Sequence, residues 1–354
     1  MKEIQTAFMG NQMPNSRIGG SFILHPSSFI LRASSFILCT LTALGLTFDG
    51  AVFAQNFPTK PIRIIVPFSA GSGSDVFART LGPKFTETWG QQIVVENREG
   101  AGGVIGAQLV AKAAPDGYTL LLGSTSWAVA PSLYAKPPYD ALKDFAPVGR
   151  IGFIPSVLVV HPTLPVNDVK ALIKLAKAQP GKLDYSSSGK GAPSHLFVEY
   201  FKAMARVDIV EIPYKNTAQA LTDVMGGQVM MNLPILAAAL PHVRAGRLKA
   251  LAVTSAKRAS VAAEIPTLAE SAGLPGYEAA QWQGLIAPAG TPADIVTRIN
   301  VELNRALQLP EVKERIGNLG VEFAPNAPPQ FAADIKADIA KWDQLIRSLG
   351  IRLD

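Results

Sequence analysis

Residues 62–75 read Ile-Arg-Ile-Ile-Val-Pro-Phe-Ser-Ala-Gly-Ser-Gly-Ser-Asp. A short apolar run closed by a proline reads as a buried strand. The small and hydroxyl residues after it carry helix-start chemistry, with Ser74 or Asp75 as N-cap of a helix to about Trp89. Ile93-Val94-Val95 is a second strand. Residues 103–114 form a helix stopped by the turn signal Pro115-Asp116-Gly117, and Tyr118 to Leu122 is a third strand. Strands and helices alternating through short loops predict βαβ units and a parallel sheet.

The pattern restarts after Pro147. Strands are expected at 156–160, 183–185, 208–212, 229–233 and 248–253. Helices are expected at 166–178, 193–205, 218–225 and 236–244. The block 158–255 reads as a domain inserted into the first, with Trp282 to Ala287 returning as a strand to the first sheet. Helices near 292–308, 310–318 and 328–348 finish the chain. Two similar halves predict two lobes with a cleft between them.

The 354 residues are 48% hydrophobic and 17% charged, an ordinary globular composition that excludes a disordered tail or a highly charged coiled coil. A net charge of +6 is mild for this length, and no basic run exceeds Lys257-Arg258, which argues against nucleic acid and favours small acidic ligands. The N-terminus reads as an export signal. Ser-Phe-Ile-Leu recurs at Ser21, Ser28 and Ser35, then an apolar run from Phe36 to Phe48 leads to Val52-Phe53-Ala54, with cleavage expected after Ala54. That run is shorter than the ~20 residues needed to span a bilayer. Cys39 is the single cysteine, so the mature chain would have no disulfide and no thiol nucleophile.

Four glycine- and hydroxyl-rich turns sit where ligands bind in open α/β sheets, beyond the carboxyl ends of strands and at helix N-termini whose N–H groups attract anions. The first is Phe68-Ser69-Ala70-Gly71-Ser72-Gly73-Ser74-Asp75. The second runs from Glu96 to Gly106, and its Gly100, Gly102 and Gly106 loosely match a dinucleotide turn. That turn is read as structural, because the first strand lacks the complete fingerprint. The third is Gly123-Ser124-Thr125-Ser126. The fourth runs from Ser186 through Ser187, Ser188, Gly189, Lys190, Gly191 and Ser194 to His195.

Enzyme chemistry finds no complete constellation, and the chain is read as a non-enzyme without cofactor or metal. Tyr139 and Lys143 have a dehydrogenase-like spacing but follow Pro137-Pro138 in a loop. Ser187 and Lys190 match Ser-x-x-Lys, yet the surrounding Gly189, Gly191 and Pro193 keep Lys190 in the loop. No Gly-x-Ser-x-Gly elbow or P-loop is present, and His161, His195 and His242 are scattered without metal-ligand spacing.

Segments along nearly all of the mature chain resemble the substrate-binding receptors of tripartite tricarboxylate transporters, the Bug family. They include Pro58 to Asp75 with Arg79, Val95-Glu96-Asn97-Arg98 to Gly106, and Ala114-Pro115-Asp116-Gly117-Tyr118-Thr119. They continue with Ser188 to His195, Pro213-Tyr214-Lys215, Ile265-Pro266-Thr267, Trp282-Gln283-Gly284 and Ala287 to Pro292. The resemblance implies a two-lobed, flytrap-like periplasmic binding protein, each lobe a mixed, mostly parallel sheet flanked by helices. The lobes would be 55–155 plus 280–354, and 156–279, after a targeting segment 1–54. It implies capture of a small carboxylate and delivery to a membrane permease. A sensory receptor serving a signalling partner is the alternative, with a nucleotide-dependent oxidoreductase as the remote one. By position, the ligand groups would be Phe68 to Gly73 with Asp75, and Ser187, Ser188, Gly189, Gly191, Ser194 and His195. Ser124, Thr125, Ser126, Tyr214, Asn216 and Thr217 complete the cleft, with Asn232 in reach. Gly71-Ser72-Gly73 adds a hydroxyl where many relatives have Gly-Gly. Pro234 replaces an Asp common in the family, which points away from amino acids and toward a less polar or aromatic acid.

Overall fold

The computed structural model describes residues 57–215 and 217–353. The targeting segment with Cys39, and Asn216 among the expected ligand residues, lie outside the described residues.

In chain order the elements are β1 (Ile62–Val66), α1 (Gly73–Trp89), β2 (Ile93–Asn97), α2 (Val104–Ala111), β3 (Thr119–Ser124), α3 (Thr125–Val129), β4 (Phe145–Pro155) and β5 (Val157–Val160). There follow α4 (Val169–Ala178), β6 (Asp184–Ser187), α5 (Pro193–Ala205), β7 (Val210–Pro213), α6 (Thr217–Met225), β8 (Met231–Asn232), α7 (Leu236–Arg244) and β9 (Lys249–Val253). The chain ends with α8 (Leu268–Ala272), β10 (Ala280–Pro288), α9 (Ala293–Ala306), α10 (Pro310–Gly317), β11 (Glu322–Phe323) and α11 (Pro328–Leu349).

The strands form two sheets, ordered β11-β4-β10-β3-β1-β2 and β7-β6-β8-β5-β9. In the first, β1 pairs parallel with β2 and β3, while β10 runs antiparallel between β3 and β4. In the second, β6 pairs parallel with β7 and β8, while β5 runs antiparallel between β8 and β9. Both sheets are therefore mixed, with most strands sharing one direction, and they repeat one topology.

Each sheet is buried on both faces, which is why its strands read as continuous apolar runs. Ile62, Ile64 and Val66 enter one core and Ile65 the opposite one. Leu158 and Val160 likewise separate from Val157 and Val159. The chain passes between the sheets at Ser156 and again before Ala280. Thr254 fastens the first passage to the end of β9: its N–H and hydroxyl bond Ser156 O at 2.9 and 3.2 Å, and its Oγ1 accepts from Ser156 N at 3.1 Å. Helix α11 is a third link, with Phe331 and Ile335 packed under the first sheet and Trp342, Leu345 and Ile346 in the core of the second.

Several boundaries differ from the expected ones. The N-cap of α1 is Ser72, whose Oγ accepts from Asp75 N, rather than Ser74 or Asp75. Helix α2 is shorter than 103–114: a 3-10 turn occupies Ala101–Gly103 at its start, and it ends at Ala111. Gly123 and Ser124 end β3, and Thr125 already starts a helix. The largest difference is β4, an eleven-residue strand across Pro147 where no element was expected. There β4 has β10 on one side only, because β11 pairs just Phe153 and Gly152, and the ladder with β10 shifts register beside Pro147, between Leu285 and Ile286.

Candidate functional site

The two repeated units β1–turn–α1 and β6–turn–α5 supply the centre of the site. In the first, Gly71 takes φ +80°, which an L side chain resists, and so turns the chain back toward α1. The turn is fastened from behind by Asp75, which is only 3% exposed. Its carboxylate accepts from Gly71 N at 2.9 Å, from Arg79 Nε at 2.9 and 3.0 Å, and from Asn97 Nδ2 at 2.9 Å. Asn97 Nδ2 also donates to Phe68 O at 3.0 Å. Burial opposes ionisation of Asp75, but the bonds from Arg79, Gly71 and Asn97 outweigh it and hold the carboxyl below its ordinary range.

The second turn uses different fasteners. Ser187 Oγ donates to Glu211 Oε1 at 2.6 Å and accepts from Gly189 N at 3.0 Å. Ser194 Oγ accepts from Ser188 N at 3.0 Å and meets Ser188 Oγ at 2.9 Å. His195 Nδ1 accepts from Gly191 N at 3.2 Å, so the neutral ring carries its proton on Nε2, 3.6 Å from Glu211 Oε2. Burial lowers the His195 pKa, against the attraction of Glu211 and Glu199.

Both turns open onto one cavity of about 750 Å³ between the two sheets. It exceeds the cavity of about 260 Å³ beneath β10 and α11, and that of about 490 Å³ beside Tyr134 and Tyr139. Of the expected residues, Phe68, Ser72, Gly73, Ser124, Ser126, Ser188, Ser194 and Thr217 line it. Others do not. Ser69, Ala70 and Gly71 are exposed on the turn. Asp75, Ser187 and His195 are buried behind their turns, and Gly189 and Gly191 shape the second turn without lining the cavity. Thr125 Oγ1 accepts from Trp282 N, and Tyr214 donates its phenol to Asp223 Oδ2 at 2.8 Å. Asn232 is buried without lining the cavity, and its Oδ1 has no partner. The turn containing Gly106 is structural: a Cβ there would come within 2.9 Å of Arg98 O and 3.0 Å of Pro67 Cα. Lys190 is exposed in the loop before α5.

The residues not foreseen fall into two sets. Ser74, Gln281 and Gln283 extend the polar side, with Ser74 Oγ donating to Gln283 Oε1 at 3.3 Å. Two glutamines at alternate positions of an otherwise apolar strand are a legible signal, since Trp282 between them enters the opposite core. The second set is an apolar wall of Ile154, Leu221, Met225, Leu233, Ile235 and Ala238, with Pro234 beside it and His242 at its edge.

The chemistry of this cavity is specific. The N-termini of α1 and α5 face it, each adding its positive dipole end; α5 starts at Pro193, which has no N–H, while His195 N bonds Ala192 O and Asp75 N bonds Ser72 Oγ. Hydroxyls supply further donors. Ser124 Oγ is buried there without a partner, an unmet bond that an occupant would satisfy. Among the described residues lining the cavity there is no Lys, Arg, Asp or Glu. An anion would thus be held by backbone and hydroxyl donors.

Two repeated α/β sheets with a donor-rich cavity between them define a periplasmic-binding-protein fold. Residues 77–351 match the family model of the tripartite tricarboxylate transporter family receptor, and the chain belongs to that family. It is 39% identical over 304 residues to protein BugT of Bordetella pertussis, covering 85% of this chain and 93% of BugT. A protein of R. palustris solved with adipate is 37% identical with a TM-score of 0.71, covering 84% of this chain and 99% of that one. MatC from Rhodopseudomonas palustris, solved with bound malate, is 32% identical with a TM-score of 0.68, covering 82% and 100%. Among the described residues no helix is long and apolar enough to cross a membrane.

Proposed function

We propose that this chain is an extracytoplasmic receptor that captures a small carboxylate and delivers it to the membrane permease of a tripartite tricarboxylate transporter. The observation that carries this reading is the convergence of two helix N-termini and the hydroxyls of Ser72, Ser124, Ser126, Ser188 and Ser194 on one uncharged cavity. Such a site suits an anion because desolvated N–H and O–H donors satisfy it without a titrating partner. The adipate and malate bound by two relatives are both small carboxylates. In this reading the lobes are 55–155 with 280–354, and 156–279, and residues 1–54 direct export with cleavage after Ala54.

The test is a thermal-shift and calorimetric screen against mono- and dicarboxylates, aromatic acids and nicotinamide cofactors. A ligand that binds only the native state raises Tm. A shift with a carboxylate class supports the receptor. A shift with nicotinamide cofactors alone overturns it. N-terminal sequencing of the protein recovered from the periplasm checks the export step, with Gln55 as the expected first residue.

A further inference from the structure

The cavity is polar at one end only, and its other end identifies the kind of acid it takes. Strands β6 and β8 are parallel neighbours, with Ser186 opposite Asn232, so the turn at Ser188 and the residues after β8 leave the sheet at the same level. From that level α6 and α7 run over one face of the sheet, where Leu221, Val224, Leu236, Ala239 and Leu240 pack with Val157, Val159 and Val253. Helix α6 presents Ala218, Leu221, Thr222 and Met225 to the cavity, spaced as one helical face. Helix α7 and the residue before it present Ile235, Ala238 and His242, again one face. The groove is apolar for most of its length and ends at a histidine. The step from Ile235 to His242 is about 10 Å along the helix. An extended chain advances about 1.2 Å per bond, so succinate falls short of this length.

The histidine is not a neutral bystander. Arg247 Nη2 lies within hydrogen-bond distance of His242 Nδ1. A guanidinium has only donors to offer, so Nδ1 accepts and the neutral ring keeps its proton on Nε2. His242 therefore presents an N–H donor, backed by a permanent cation. An acceptor or anion is favoured at that end. An ammonium group would find a donor rather than an acceptor at Nε2 and is disfavoured.

We propose that His242 reads the far end of the ligand, and that the groove between α6 and α7 sets its length. Resting on the receptor reading above, this makes the preferred ligand an elongated acid. Its carboxylate sits at the Ser72 and Ser188 turns, its apolar body lies along Leu221, Met225 and Ile235, and a second carboxylate or other acceptor meets His242.

The experiment is calorimetry on wild type, His242→Leu, His242→Gln and Ser188→Phe. The probes are the linear diacids succinate, adipate, suberate and azelate, and the monoacids of matching length. Wild type is expected to bind a diacid longer than succinate most tightly, and to favour it over its monoacid by about tenfold or more. In His242→Leu that ratio falls to about one, while His242→Gln, which keeps an N–H donor, retains most of it. An unchanged ratio in His242→Leu overturns the far-end assignment, as does tightest binding of succinate by wild type. Loss of all acid binding in Ser188→Phe in that case leaves the receptor reading standing. Full binding of every acid by Ser188→Phe, or none by wild type, overturns both.

Discussion

The turns after β1 and β6 occupy equivalent places in two sheets of the same topology, and both present a helix N-terminus to the cavity. They are held in place by unlike chemistry. Behind the first is an ionic clamp, Asp75 with Arg79 and Asn97. Behind the second is a net of Ser187, Glu211 and His195, with Ser188 joined to Ser194. The topology dictates where the donors point, and any fastener that holds the turn suffices. The two fasteners differ in what disrupts them.

The largest expected effect comes from cutting the clamp. Asp75→Ala leaves Arg79, Asn97 and Gly71 N without their shared acceptor. A loss of about 2–3 kcal/mol is expected, with acid binding weakened by about a hundredfold. Denaturant unfolding with calorimetry checks both, and wild-type values for both would remove Asp75 from the comparison. On the other side, Ser188→Phe fills the donor end of the cavity and should abolish acid binding with Tm little changed. Wild-type affinity in that variant would mean the second turn does not touch the ligand.

Acid should separate the two turns. His195 has a folded pKa below its ordinary 6.5, so the folded state binds fewer protons than the unfolded chain. Its contribution is complete above 6.5 and erodes as the pH falls below that value, by at most about 1.4 kcal/mol per pH unit. Asp75 is also depressed, from 3.8, so its contribution is lost only at still lower pH. Unfolding measured from pH 7 to 5 should therefore show a slope in wild type that His195→Gln reduces and Arg79→Gln does not. The same slope in wild type and His195→Gln would place the sensitivity elsewhere. The smallest effect is expected from Ser72→Ala, which removes the N-cap of α1 at a cost of about 1 kcal/mol. A Tm equal to wild type would show that the turn itself, not the cap, fixes the start of α1.

Much of this was legible because it is local. Helices α5 and α7 begin and end at the residues read from their Pro and Gly signals, and the donor turns follow from strand–turn–helix chemistry alone. Strand β4 was not legible: Pro147, Gly149, Gly152 and Pro155 mimic a loop, and only pairing with β10 makes them a strand. The apolar wall was hidden for a related reason. Leu221, Met225, Leu233 and Ile235 are ordinary core residues by type, and only the facing sheet decides that they border a cavity. Asp75 and His195 belong to the two turns that open onto the cavity, but their side chains hold those turns from behind.

Helix α11 has a mechanical consequence. Its Phe331 is anchored under one sheet and its Trp342 in the core of the other, about 17 Å apart along the axis. A helix bends far more readily than it stretches. Along that edge the rod fixes the spacing, and the Ser156–Thr254 stitch fixes a second point. With the passage before Ala280 the sheets are joined at three places, so a load applied to one core is transmitted to the other through side chains already packed in both.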